Sequence, residues 1–146
     1  MALNQDRVGH RYPAYRFEVG REHVRAYAGV TGVDDRRYHA DDPDSDATGL
    51  AVPPAYLACV TGAQAWQRVM DDPELRAHDR VMHGGQEFMF AEPVRVGDVL
   101  VCTPRIADLR ALRGLELLTV EVECARLDGT PVVTSRSRLA FMPEAP

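Results

Sequence analysis

The sequence predicts an α+β domain in which a bent antiparallel sheet wraps one long central helix. Three observations carry this. A helix-spaced apolar stretch follows Pro53-Pro54, and strand-like segments separated by turn signals fill the second half of the chain. The clearest strand alternates, with Leu118, Val120, Val122 and Cys124 facing one way and Thr119, Glu121 and Glu123 the other. One face of the sheet is therefore buried and one is wet.

In chain order, Arg16-Phe17-Glu18-Val19 alternates as a short strand and stops at Gly20. Val24, Tyr27 and Ala28 then recur at helical spacing through REHVRAYAGV, with Gly29 and Gly32 to end that helix. From Asp34 to Gly49 the chain is polar, acidic and rich in turn formers, including Asp41-Asp42-Pro43-Asp44, which predicts a long loop. Pro53 and Pro54 suit a helix start, where a missing N–H costs little. The helix is expected to run on to about Met70, and Tyr56, Leu57, Val60, Ala63, Trp66 and Val69 cover more than one of its faces, as in a helix surrounded by protein. Strands are predicted at Val81 to Phe90, Val99 to Leu109, Leu115 to Ala125 and Thr130 to Met142, with turns at Val96-Gly97-Asp98, Arg113-Gly114 and Asp128-Gly129.

At 146 residues the chain has room for one core, so a single domain over residues 1–146 is expected. Its 45% hydrophobic and 27% charged residues exclude a disordered composition. No apolar run approaches the roughly 20 residues that cross a bilayer, and MALNQDRVGHR has no signal-peptide apolar core, so a cytoplasmic location and no membrane partner are expected. A net charge of −5 argues against a nucleic-acid partner. All 17 basic residues are Arg, which fits GC-rich coding and also leaves forks able to grip the phosphates of a coenzyme or carrier arm. Cys59, Cys102 and Cys124 lack metal-site spacing and read as small buried residues, with no metal or disulfide framework indicated.

The run His83-Gly84-Gly85-Gln86-Glu87-Phe88, followed by Phe90, Pro93 and Gly97-Asp98, resembles the strand-to-turn signature of the MaoC dehydratase N-terminal family. Tyr27-Ala28, Thr31-Gly32 and Pro53-Pro54 are similar to that family in the same order, so the resemblance spans about Val8 to Phe141. It implies a hot-dog fold, paired as a homodimer or with another hot-dog subunit. It also implies activity on acyl-CoA or acyl-carrier-protein thioesters, commonly the reversible loss of water from a (3R)-hydroxyacyl group, without a cofactor. Because fold does not fix function, a non-catalytic acyl-chain-binding subunit is a second expectation. A thioesterase ranks below both, since no Asp or Glu lies between Pro54 and Met70.

Catalytic relatives share an Asp-x-Asn-Pro-x-His-x-Asp stretch whose first Asp and His are the working pair. The matching stretch here is Asp34-Asp35-Arg36-Arg37-Tyr38-His39-Ala40-Asp41, which keeps the Asp and His spacing and replaces Asn-Pro by two arginines. Asp34 and His39 are accordingly the candidate catalytic residues, the His as base and the carboxyl as acid; the plainer reading is an acidic surface loop. The two cations are expected to favour ionised Asp34 and weaken it as an acid. The start of the long helix, at Ala55 and Tyr56, is the candidate donor site for the thioester oxygen. His83 and Gln86 either line the substrate entrance or simply hydrogen-bond at a strand start. The Tyr56 and Trp66 side chains read as core or dimer contacts, His10, His23 and His78 as solvent-facing, and Gly97-Asp98 as a turn.

Overall fold

The computed structural model describes residues 2–39 and 50–143. Asp41-Asp42-Pro43-Asp44 and the Ala40-Asp41 end of the motif lie outside the described residues. The first strand, β1, is Tyr15–Glu18, and helix α1 is Arg21–Val30. Two helices, α2 (Leu57–Thr61) and α3 (Ala63–Met70), precede the strands β2 (Val81–Phe90), β3 (Val99–Leu112), β4 (Leu115–Arg126) and β5 (Pro131–Phe141). The strands form one antiparallel five-stranded sheet in the order β1-β3-β4-β5-β2, which makes β1 and β2 the edges.

The predicted alternation sets the two faces. Leu118, Val120 and Val122 are fully buried, and they share the core with Leu57, Val60 and Val69 of the helices. The opposite face carries a charged row in cross-strand register, Arg105, Glu121, Arg136 and Glu87 on β3, β4, β5 and β2. Glu121 is enclosed by its neighbours: Arg105 Nη2 and Arg136 Nε each approach its carboxylate to 2.6 Å. Burial alone would raise its pKa, but the hydrogen bonds from Arg136 and Arg105 outweigh that and hold it below the ordinary range. Cys102 and Cys124 are buried cross-strand partners, as expected, whereas Cys59, also expected to be buried, is only half-buried.

The single long helix is not what forms. A 3-10 turn at Pro54–Tyr56 leads into α2, and the chain breaks at Gly62 before α3 begins. Gly62 sits at φ −88° and ψ −94°, where a Cβ would lie 2.5 Å from the Ala58 carbonyl oxygen. Only glycine fits there, and a break at a lone glycine inside an apolar pattern leaves no mark on the periodicity. At the β3–β4 hairpin, Arg113 (φ 52°) and Gly114 (φ 83°) form a two-residue loop with both φ values positive, the geometry that matches strand twist.

Candidate functional site

The Asp34–His39 segment is built around a short turn. Asp35 caps the 3-10 turn Arg36–Tyr38 by accepting from the Arg37 N–H, and its carboxylate also grips the Arg37 guanidinium, with Nη2 at 2.6 Å. The side-chain hydrogen bonds from Arg37 hold the Asp35 carboxyl below its ordinary range. Arg37 is thus paired directly with Asp35. Asp34 is exposed and makes no side-chain hydrogen bond or ion pair among the described residues.

The half-buried His39 ring donates from Nε2 to the Val33 carbonyl. A carbonyl can only accept, so in the neutral ring the lone pair lies on Nδ1, which is the nitrogen able to act as a base. No hydrogen bond joins Asp34 to His39 among the described residues.

This turn is laced to the start of the helices. The Ala51 N–H donates to the Arg37 carbonyl at 2.8 Å, and Ala51 forms an isolated antiparallel bridge with Arg95. The neighbours of those two residues, Val52 and Val94, line a mainly apolar cleft of about 380 Å³ together with Pro54, Leu57 and Phe90. Ala55 is exposed beside this cleft, and its N–H has no backbone partner among the described residues. The Tyr56 N–H is already given to the Pro53 carbonyl at 2.9 Å. Among the described residues only Ala55 of the two expected donors is free, and α2 is too short to supply much of a helix dipole.

The Tyr56 side chain points into the core. It is fully buried, its hydroxyl lies 2.7 Å from His23 Nδ1, and burial pushes its pKa up to about 12. Sequence reasoning read His23 as solvent-facing; the ring is exposed, yet one nitrogen is the polar partner of a sealed phenol. Nothing in the α1 pattern marks that contact, because it joins residues 33 positions apart.

A register shift between His83 and Gly85 brings the other two candidates to one face. His83 pairs with Leu139 and Gln86 with Ser137, both inward-facing positions that strict alternation would have put on opposite sides. His83 remains exposed at the sheet edge, bonded through Nε2 to the Gly85 carbonyl at 2.9 Å and set edge-on to Trp66. Gln86 is held by two serines of β5, donating to Ser135 and accepting from Ser137.

A family model described as the FAS1-like dehydratase domain region matches residues 6–135. The chain belongs to this family. Its fold is shared with MaoC-like dehydratases of known structure, in line with the resemblance of the His-Gly-Gly-Gln run. A UPF0336 protein of Saccharopolyspora erythraea is 34% identical over 144 residues, covering 95% of this chain and 91% of that one. Among solved structures, the C-terminally truncated HadBC (3R-hydroxyacyl-ACP dehydratase) complex of Mycobacterium tuberculosis is similar in fold, with a TM-score of 0.75 at 24% identity over 94% of this chain and 99% of that one. The MaoC-like dehydratase of Rhodospirillum rubrum aligns over the full length of both chains with a TM-score of 0.66 at 18% identity. No helix among the described residues is long and apolar enough to cross a membrane.

Proposed function

We propose that this member of the FAS1-like dehydratase family acts in the reversible loss of water from a (3R)-hydroxyacyl thioester, carried on CoA or an acyl-carrier protein. The observation that carries the reading is the lacing of the His39 turn to the cleft through Ala51 and Arg95. His39 Nδ1 takes the proton beside the thioester carbonyl, Asp34 protonates the departing hydroxyl, and the Ala55 N–H meets the oxygen on which negative charge develops. In the hydration direction the same two side chains hold and split one water. The test is loss of the conjugated absorbance of a short trans-enoyl-CoA on addition of the purified chain, which should turn it over.

A second reading is a binding subunit whose catalytic pair sits on a sister chain. It is favoured by the exposure of Asp34 and by the absence of a hydrogen bond or ion pair between Asp34 and His39 among the described residues. An inactive chain that still binds acyl-thioester would select it. In either case we expect the chain to pair. The edge strand β2 exposes Met82, Met89 and Phe90, and an unpaired apolar edge is usually covered by another chain. Sedimentation at micromolar concentration should show a species larger than 16.2 kDa.

A further inference from the structure

Thr61, Ser135 and Ser137 are sealed in the apolar core, each at most 1% exposed, and the reaction proposed above uses none of them. With Gln86 they form one chain of hydrogen bonds. Ser137 Oγ lies 2.8 Å from Gln86 Oε1, and Gln86 Nε2 lies 2.6 Å from Ser135 Oγ. Thr61 Oγ1 is 2.9 Å from both Ser135 Oγ and the Leu57 carbonyl oxygen. Its direction follows from the chemistry of the groups. Carbonyl and amide oxygens only accept, an amide nitrogen only donates, and each hydroxyl has one proton. Ser137 therefore donates to Gln86, Gln86 to Ser135, Ser135 to Thr61, and Thr61 to Leu57. Turning the amide over would leave Thr61 with one proton for two acceptors, so the orientation of Gln86 is fixed by the network.

The chain starts at Ser137 on β5, passes through Gln86 on β2 and ends at the Leu57 carbonyl. Gln86 shares β2 with Phe90, and Leu57 opens α2; Phe90 and Leu57 both line the cleft. We infer that Gln86 is a positioning residue that sets the spacing of the β2 and α2 walls by donating, through Ser135 and Thr61, to the Leu57 carbonyl. The fit of the acyl group then depends on a side chain that does not touch it. This inference rests on reading the cleft as the acyl-thioester site.

Gln86→Glu isolates the donor. An ionised carboxylate can only accept, so the Ser135 proton turns toward it and Thr61 is left one proton short. A protonated carboxyl donates as the amide did, so acidification should restore the chain. His83 is the titratable side chain sharing the inner face of β2 with this position, whereas Glu87, Arg136 and Arg138 stand in outward register positions. Binding of a short and a medium-chain trans-enoyl-CoA is measured for wild type and Q86E between about pH 9 and about pH 5, a range that brackets a half-buried carboxyl. Hydrogen exchange of the 57–70 amides is followed in parallel against those of β3 and β4.

Relative to wild type at each pH, Q86E should bind roughly tenfold more weakly at the alkaline end, the size of one lost buried hydrogen bond. It should recover on acidification, with faster exchange confined to the 57–62 amides. Ser137→Ala, which leaves the donor path intact, should fold and show a smaller loss with no pH dependence. A Q86E protein that matches wild type throughout, or whose defect does not recover in acid, overturns the inference. A wild type that binds neither thioester removes the acyl-site reading, and the exchange measurement then decides on the hydrogen-bond chain alone.

Discussion

In the wall formed by β3, β4 and β5, cross-strand pairing runs along the strands with only local register shifts, and one face is filled by Ile106, Leu118, Val120, Val122 and Leu139. The Val33–Tyr56 stretch is held differently. Among its described residues, the anchors are the Asp35 cap, the His39 bond to Val33, the Ala51 bond to Arg37 and the buried Tyr56 ring. Many small packing terms over-determine the wall, whereas a few specific polar contacts hold the proposed site. Substitutions in the wall should therefore act on stability, and substitutions in the site on chemistry.

The largest expected effect is Leu118→Ala. It removes a fully buried side chain from the middle of the wall and should cost about 2–5 kcal/mol in a denaturant titration. Gly62→Ala comes next. Its Cβ would meet backbone, so relief requires moving α2 or α3, at roughly 1–3 kcal/mol. A G62A protein as stable as wild type would show that the break between the helices is not enforced by Gly62.

Glu121 sharpens the comparison because it is a polar group that belongs to the wall. Its folded pKa is depressed, so its contribution is present above the unfolded value of about 4.3 and is lost as pH falls through the folded one. Glu121→Gln should lower stability at neutral pH by about 1–3 kcal/mol, since two arginines lose an ionic partner. It should also flatten the acid limb of the stability profile. An unchanged acid limb would show that Glu121 does not drive that loss.

How much of this was legible in the sequence follows the same division. The alternation of Leu118 to Cys124 and the turn residues Arg113-Gly114 and Gly97 placed most strand ends within one residue, because period and turn chemistry are local, whereas β3 runs three residues past the expected Leu109 to the hairpin. The helix break at Gly62 was not legible, since a glycine within an apolar stretch is tolerated in many helices. In the proposed site, the Asp34 and His39 spacing singled out a segment that folds as a short capped turn. Periodicity could not show that Arg37 would bond Asp35, or that the shift at Gly84 would bring His83 and Gln86 to one face. Each of those depends on backbone path or on a partner distant in sequence.

The smallest expected effect on stability falls on the site itself. Asp34→Asn should move the unfolding free energy by no more than about 0.5 kcal/mol, and His39→Ala, which gives up the bond to Val33, by about 0.5–1.5 kcal/mol. Those small costs are what make them useful probes.

The most direct test of the central claim is the rate of trans-enoyl thioester hydration by wild type, the two single variants and the double variant, each confirmed folded by circular dichroism. If His39 and Asp34 act together on one water, each single change should lower the rate at least about a hundredfold, and the double variant should be little worse than the poorer single one. Robust wild-type turnover that survives both substitutions would contradict the account.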